Sequence, residues 1–498
     1  MIAAIALSHS IALADGLSAL ERLGRQIYKE GKGDAPVQAL LGSSQTAIAA
    51  SVVPCASCHG DDGRGRPEGG VVPAEVTAAA LGAALDSGPA RVRTRVAYTD
   101  RLLARAITMG IDSSANRLDA MMPRYQISLK DMAALTAYLK KLGDLRDPGL
   151  TADTIRIGVL LPPKEHLASV ADAVRNALQA FVDARDKAGG IYDRKIELVF
   201  ADCDGSPSQR ADAAASFIAT RAPFALVGSF TDGADDELAA VARDHAIPLL
   251  ATISSRAESV PSNRYVRGLV AGIRDQTRAL AQFIGRRFPS AHVAVLHDER
   301  SKAVAEAAAD ELKKLGVRAE LRESGVAPAS LKESGIDAVL YAGAPEALAK
   351  LSAATRELTW SPAIFVSSAL IHPDVLDRTR TAARFYVALP IGPDDQTPAA
   401  VEAWRQLVGK EGARVHQPMQ FAALASAQVL FAALEHVGRE LTRGKLLAAI
   451  DGITALETGL VPPLTYNRSR HIGSTGSYIV AITEEPSDGQ RIVWVDPG

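Results

Sequence analysis

The sequence predicts a small all-α unit followed by a larger, two-lobed α/β region. From Asp15 to about Pro148 the apolar periodicity is helical, with Gly-, Pro- and Ser-rich connections and no run of β-branched alternation. After the turn-rich stretch Gly143-Asp144-Leu145-Arg146-Asp147-Pro148-Gly149, short apolar runs alternate with amphipathic helices to the end of the chain. That alternation is the mark of a parallel sheet covered on both faces. The roughly 350 residues carrying it exceed one comfortable sheet, so two lobes are expected.

In the first unit, helices are expected at Leu17 to Glu30, Arg101 to Met109 and Ser128 to Leu142. The last opens on Ser128-Leu129-Lys130-Asp131, a capping-box-like start with Asp in place of Glu. Met132, Leu135, Tyr138, Leu139 and Leu142 share its inner face. In the second region, strands are expected at Ile155 to Leu161, Ile196 to Ala201, Phe224 to Gly228, Ile247 to Ala251, His292 to Leu296, Ala338 to Tyr341, Ala363 to Val366 and Phe385 to Leu389. The first intervening helix presents Val170, Ala173, Val174, Ala177, Leu178 and Phe181 as one stripe.

The 498 residues are 47% hydrophobic and 22% charged, ordinary values for globular chains. With 55 Lys+Arg against 57 Asp+Glu there is no global basic field, so nucleic acid is not an expected partner. Three cysteines in this length do not make a disulfide framework. The run Ile2 to Leu13 is too short to span a bilayer and ends in Ala12-Leu13-Ala14, a signal-peptidase pattern, so 1–14 is expected to be a signal peptide remnant and the protein periplasmic. No Lys or Arg precedes Arg22, and an apolar N-terminal helix of the mature chain is the alternative. No later uninterrupted apolar run reaches about 18 residues, so no transmembrane segment is expected in the mature chain.

The most specific motif is Cys55-Ala56-Ser57-Cys58-His59. Two residues between the thiols let both sulfurs reach one porphyrin edge, where they add to the vinyl groups, and the next residue then ligates iron. One covalent haem c is therefore expected on Cys55 and Cys58, with His59 on the iron. A redox pair or a zinc half-site is the alternative, but zinc needs two more ligands, and the mature first unit has no other Cys or His. The second axial ligand is then sought among Met109, Met121, Met122 and Met132.

Gly24-Arg25-Gln26-Ile27-Tyr28 with Gly31, Pro54 to Gly60 with Gly63 and Gly65, and Met122-Pro123-Arg124-Tyr125 with Leu129 and Tyr138-Leu139 together resemble the class I c-type cytochromes, across nearly all of 20–143. The resemblance implies that the Met directly before Pro, Met122, is the distal ligand, with Met121 the runner-up. Met132 fits the core stripe and Met109 a helix end. His/Met ligation closes both axial positions, which implies electron transfer. Arg91, Arg93, Arg95, Arg101, Arg105 and Arg124 are candidates for screening propionates or docking an acidic redox partner, against the plainer reading of a solvated face.

In the second region, Lys187-Ala188-Gly189-Gly190-Ile191-Tyr192, Phe224-Ala225-Leu226-Val227-Gly228-Ser229, Ala246-Ile247-Pro248, Ser254-Ser255, Tyr265-Val266-Arg267 and Asp337 to Gly343 follow one another in an order similar to the type I periplasmic solute-binding proteins, the group of the branched-chain amino-acid-binding proteins. The resemblance covers roughly 153–498. The fold it implies is an all-α cytochrome c domain (15–148) followed by a two-lobed α/β type I periplasmic-binding-protein domain (149–498). Its lobes are expected at 153–271 with 397–455, and 272–396 with 456–498.

A small-molecule solute then sits at the carboxyl ends of strands. Ser229, Thr231, Asp232, Ser254 and Ser255 are implied on one lobe, and Ser368 on the other, with residues near Asp298 to Ser301 and Gly343 to Pro345; each also reads as an ordinary strand-to-helix cap. Relatives that bind amino acids place an acid near Ser368, where this chain has Ser367-Ser368. Without it a ligand ammonium lacks its charged partner, so the solute is expected not to be a standard α-amino acid. Cys203 is expected to be an unpaired buried thiol. No catalytic constellation or nucleotide-binding glycine pattern is present, so the protein is read as not an enzyme but a periplasmic c-type cytochrome with a fused solute-binding domain. The alternatives are the binding component of an importer with an ABC permease, and an accessory protein whose periplasmic redox partner is a quinoprotein dehydrogenase.

Overall fold

The computed structural model describes residues 17–42, 44–65, 73–85, 94–143, 147–257, 263–371, 383–482 and 492–497. The expected leader at 1–14 lies outside the described residues, as do Arg91 and Arg93. The chain divides into two compact units, Met1–Thr151 and Ala152–Gly498.

The first unit runs α1 (Ala19–Glu30), β1 (Gln38–Leu41), β2 (Thr46–Ala49), α2 (Cys55–His59), α3 (Ala78–Gly82), α4 (Asp100–Met109), β3 (Arg124–Gln126) and α5 (Leu129–Leu139). A reciprocal cap starts α1: Ser18 Oγ accepts the Glu21 amide at 3.3 Å and Glu21 Oε2 accepts the Ser18 amide at 2.7 Å. Gly31 stops it in the left-handed conformation at φ 68°. The helices α1 and α5 cross at Gly24, where a Cβ would stand 2.0 Å from the Ala134 carbonyl oxygen and 2.7 Å from Tyr138 Cβ. Around that crossing Ile27, Tyr28, Met132, Leu135, Tyr138, Leu139 and Leu142 form the core, so the predicted inner stripe of α5 is buried.

Two local features differ from the sequence reading. The unit contains a small antiparallel sheet, β2-β1-β3, that the helical texture did not predict. Its strands are only three or four residues long and half exposed, too short for alternation to register. At the start of α5, Ser128 Oγ caps the Asp131 amide at 3.1 Å, yet the Asp131 carboxylate reaches out of the helix to accept the amides of Asp34 and Ala35 at 2.9 and 3.2 Å. Asp131 thus ties the helix start to a distant loop.

The second unit runs β4 (Thr154–Leu161), α6 (Lys164–Lys187), β5 (Lys195–Asp202), α7 (Pro207–Arg221), β6 (Ala225–Val227), α8 (Asp235–Asp244), β7 (Leu249–Thr252), β8 (Val266–Val270), α9 (Ile273–Arg287), β9 (His292–His297), α10 (Lys302–Lys314), β10 (Arg318–Glu323), α11 (Pro328–Glu333), β11 (Ala338–Tyr341), α12 (Pro345–Glu357), β12 (Ala363–Ser367), β13 (Arg384–Leu389), α13 (Pro398–Gly412), α14 (Gln417–Val437), α15 (Arg443–Ile450), β14 (Ile472–Ser474), β15 (Ser477–Ile482) and β16 (Val493–Val495). One sheet is parallel throughout, in the order β14-β8-β7-β6-β4-β5. The other, β10-β9-β11-β12-β13-β15-β16, is parallel until β15 and β16 add antiparallel strands at one edge. Helices cover both faces, which is why the central strands are unbroken apolar runs, as in Val293 to Leu296 and Ala363 to Val366.

The chain passes between the two sheets after β8, after β13 and between β14 and β15. The last passage corrects the expected lobe boundary. Residues 456–498 were expected together in the second lobe, but β14 pairs with β8 in the first sheet, and only from Ser477 does the chain join the second. A three-residue strand with a central glycine carries no sequence signal of which sheet it joins. Among the described residues one helix, α14, is long and apolar enough to cross a membrane by length and composition. Most of it is buried, with Phe421 and Leu424 packed on Trp404, Ala177 and Leu460, as befits a core helix.

Candidate functional site

The helix α2 is one turn and a half long, entered through Pro54 and closed at Gly60, whose amide donates to the Ala56 carbonyl at 3.0 Å. Cys55 and Cys58 stand one turn apart on it, both as free thiols, the first half-buried and the second exposed. His59 follows at the helix end, its Nδ1 2.8 Å from the Ala74 carbonyl oxygen. A carbonyl only accepts, so Nδ1 carries the proton and Nε2 keeps its lone pair for a metal. Burial lowers the His59 pKa, which favours the neutral, ligating form. Burial also pushes the Cys55 thiol up to about 12.

The surrounding chain is fastened to this helix. Tyr28, fully buried, donates to the Gly60 carbonyl at 2.7 Å, and Tyr125 donates to the Val53 carbonyl at 2.7 Å. Gly65, at φ 86°, donates its amide to the His59 carbonyl at 2.7 Å, and a Cβ there would meet the Pro73 oxygen at 2.5 Å. Two thiols and a correctly oriented imidazole on one short helix are the donor set that haem c requires, and the residues present fit it.

Of the four methionines, Met132 is packed into the core and Met109 is 63% exposed at the end of α4. Met121, 68% exposed, and the half-buried Met122 share the loop before β3. Three of the candidate arginines hydrogen-bond within their own unit. Arg95 donates to the Ala80 and Ala83 carbonyls at 2.6 and 3.0 Å, Arg105 to the Asp112 carbonyl, and Arg124 to the Met122, Leu118 and Asp119 carbonyls. Arg95 thus holds the end of α3, Arg105 and Arg124 brace loops, and Arg101 is exposed.

In the second unit the candidate residues lie after strands, at their carboxyl ends. Thr231, Asp232, Ser254 and Ser255 form one cluster. Ser255 Oγ donates to Asp232 Oδ1 at 2.7 Å, Ser254 Oγ approaches the same oxygen at 3.4 Å, and Thr231 Oγ1 donates to Asp235 Oδ1 at 2.7 Å. Burial raises the Asp235 carboxyl, against the opposing hydrogen bonds of Thr231 and Ser254. Ser229 is fully buried and its hydroxyl accepts the Leu160 amide at 3.1 Å, which joins two strand ends and leaves it facing inward. Ser368, on the other lobe, opens a short turn capped by Ser367, whose hydroxyl donates to Gln276 Oε1 at 2.7 Å. After β9 of the same sheet, Asp298 and Ser301 cap each other reciprocally at 3.0 and 2.9 Å.

Sequence reasoning missed Arg210. The residue is 4% exposed, and its guanidinium donates to the Asp232 and Phe230 carbonyls at 2.7 and 2.9 Å, fixing the loop that carries the cluster. It lies in α7, 20 residues before Phe230, and only its place on the buried face of that helix marks it. Cys203 is buried and free, and burial pushes its thiol up to about 11.

Residues 154–490 match the family model described as periplasmic binding protein, and residues 50–143 match that of cytochrome c. The Leu/Ile/Val-binding protein homolog 3 of Brucella melitensis biotype 1 is 24% identical over 337 residues, covering 64% of this chain and 89% of the relative. Among solved structures, a fatty acid ABC transporter substrate-binding protein from Thermomonospora curvata aligns with a TM-score of 0.52 at 17% identity, covering 71% of this chain and 94% of that one. A leucine-binding protein from Thermotoga maritima aligns at 0.52 and 19% identity, covering 69% and 99%. These likenesses carry the two-lobed fold. With its match extending over 154–490, the chain belongs to the periplasmic binding protein family, and a cytochrome c domain, which implies haem c, precedes the binding domain.

Proposed function

We propose that the protein is a periplasmic electron carrier with one covalent haem c on Cys55 and Cys58, axial ligands His59 and Met122, and a fused domain that binds a small solute. The observation that carries this reading is the His59 Nδ1 bond to the Ala74 carbonyl, which leaves Nε2 unprotonated on the helix that also carries two free thiols. The bound haem supplies a one-electron couple at its iron. The chain's own residues hold the imidazole neutral and oriented, and Met122 would supply a thioether as the second ligand.

The solute is not a standard α-amino acid. Ser254 and Ser255, the hydroxyls offered to a ligand carboxylate, already approach the Asp232 carboxylate, and Ser367-Ser368 brings no acid for a ligand ammonium. A second reading, the binding component of an importer with an ABC permease, draws support from the substrate-binding neighbour named above. Native mass spectrometry of the full chain, purified gently from a host competent in haem attachment, tests both. A mass with one covalent haem and a dissociable small molecule is expected. A chain without covalent haem would overturn the electron-carrier reading; once the released solute is identified, a haem reduction rate, followed by absorbance, that the added solute leaves unchanged would favour the importer.

A further inference from the structure

We infer that Arg124 is a positioning residue that clamps the loop bearing Met122, an inference that rests on Met122 being the distal ligand. The guanidinium gathers three carbonyls of one short loop. Nη1 donates to Met122 O, while Nη2 donates to Leu118 O at 3.0 Å and to Asp119 O at 3.2 Å. Three acceptors converging on one planar fork define both the position and the direction of the loop, which a single point charge does not do.

The clamp itself is seated. Gly110, the left-handed residue that ends α4 at φ 67°, leaves the space that the guanidinium fills: a Cβ there would stand 1.8 Å from Arg124 Nε and 2.0 Å from Cζ. The Gly110 carbonyl in turn accepts the Leu118 amide at 2.8 Å, so the two ends of the loop meet at the same glycine. From the other side Arg124 belongs to β3, paired with Leu40 of β1. The next residue, Tyr125, bonds Val53 just ahead of the thiol-bearing helix. Helix end, loop and sheet are thereby joined through one side chain. Within the loop, the Met122 and Met121 amides bond the Asp119 carbonyl and carboxylate at 3.2 and 2.9 Å, which completes a closed turn.

A thioether is a weak ligand for ferric iron, so its occupancy depends on how far the loop is held ready. Removing the clamp releases three hydrogen bonds that act only on the loop.

The test compares the haem-loaded full chain with Arg124→Gln, Arg124→Lys and Met122→Ala. Covalent haem is verified by mass and helix content by circular dichroism. For Arg124→Gln we expect a weakened ferric iron–thioether absorption band, about tenfold tighter binding of added imidazole to the ferric protein, and a lowered reduction potential. Arg124→Lys, which keeps the charge and loses the fork, should fall between it and the parent, and it carries the test if the glutamine variant does not accumulate. Unchanged band, imidazole affinity and potential in the Arg124 variants, with the band lost in Met122→Ala, would overturn the clamp and leave the ligand assignment intact. A band that survives Met122→Ala would overturn the ligand assignment itself.

Discussion

Asp131 shows how one residue can be read correctly for type and incompletely for role. The sequence marks it as the acid of a capping box, and the structure adds two amides from a loop almost a hundred residues earlier in the chain. Burial alone would raise its carboxyl, but the Asp34 amide, the Ser128 hydroxyl and the Ala35 amide outweigh it and hold the pKa below the usual carboxylate range. A lowered folded-state pKa stabilises the fold above the unfolded value near 3.8 and loses that contribution as pH falls through the folded value. Asp131→Ala is therefore expected to cost about 1–3 kcal/mol in urea unfolding at pH 7. The gap to the parent should narrow as the pH is taken below about 3.8; a gap independent of pH would show that the charge is not what the amides recognise.

At the scale of elements, the longer capped helices of the first unit and the buried strands of the second were legible, even strands as short as β6 and β11, whereas the half-exposed and edge strands were not. Ser18, Gly31, Thr99, Gly110 and Ser128 punctuate α1, α4 and α5, and such caps act within four residues, so local sequence suffices. The strand β10, Arg-Ala-Glu-Leu-Arg-Glu, lies at a sheet edge, where four charged residues in six leave no apolar run to mark it. The crossing of α1 and α5 is decided by a missing side chain. Gly24→Ala would place a methyl 2.0 Å from a carbonyl oxygen of the facing helix, leaving separation of the two helices as the way to relieve it. The expected cost is about 1–3 kcal/mol, read as a lowered melting temperature of the first unit with its helix content retained. An unchanged melting temperature would mean that the two helices can part at this crossing without cost.

For the whole molecule, two compact units, each with its own buried core, imply two separable stabilities. Scanning calorimetry is expected to show two transitions, of which Asp131→Ala lowers one. A solute at about a hundred times its dissociation constant should raise the other by about 2.7 kcal/mol. A single transition that moves under both treatments would show that the units fold as one. The family order of motifs made the two-lobed fold and its three passages between sheets legible, but the place of the last passage did not follow from it, because β14 and β15 are two residues apart and join different sheets.

What the sequence determined by itself was chemistry carried by adjacent residues. Cys55, Cys58 and His59 sit on one helical turn, and no tertiary contact is needed to bring them together. The periodic burial of α5 and the alternation of the second unit were legible for the same reason: a repeat of two or 3.6 residues is local. Only the tertiary structure decided that Arg124 holds the loop of Met122 against Gly110, that Arg210 fixes the loop of Asp232, and that Ser254 and Ser255 turn toward that carboxylate. Each of these joins groups from different elements, where the partner of a hydrogen bond is chosen by packing and leaves no periodic trace in the chain.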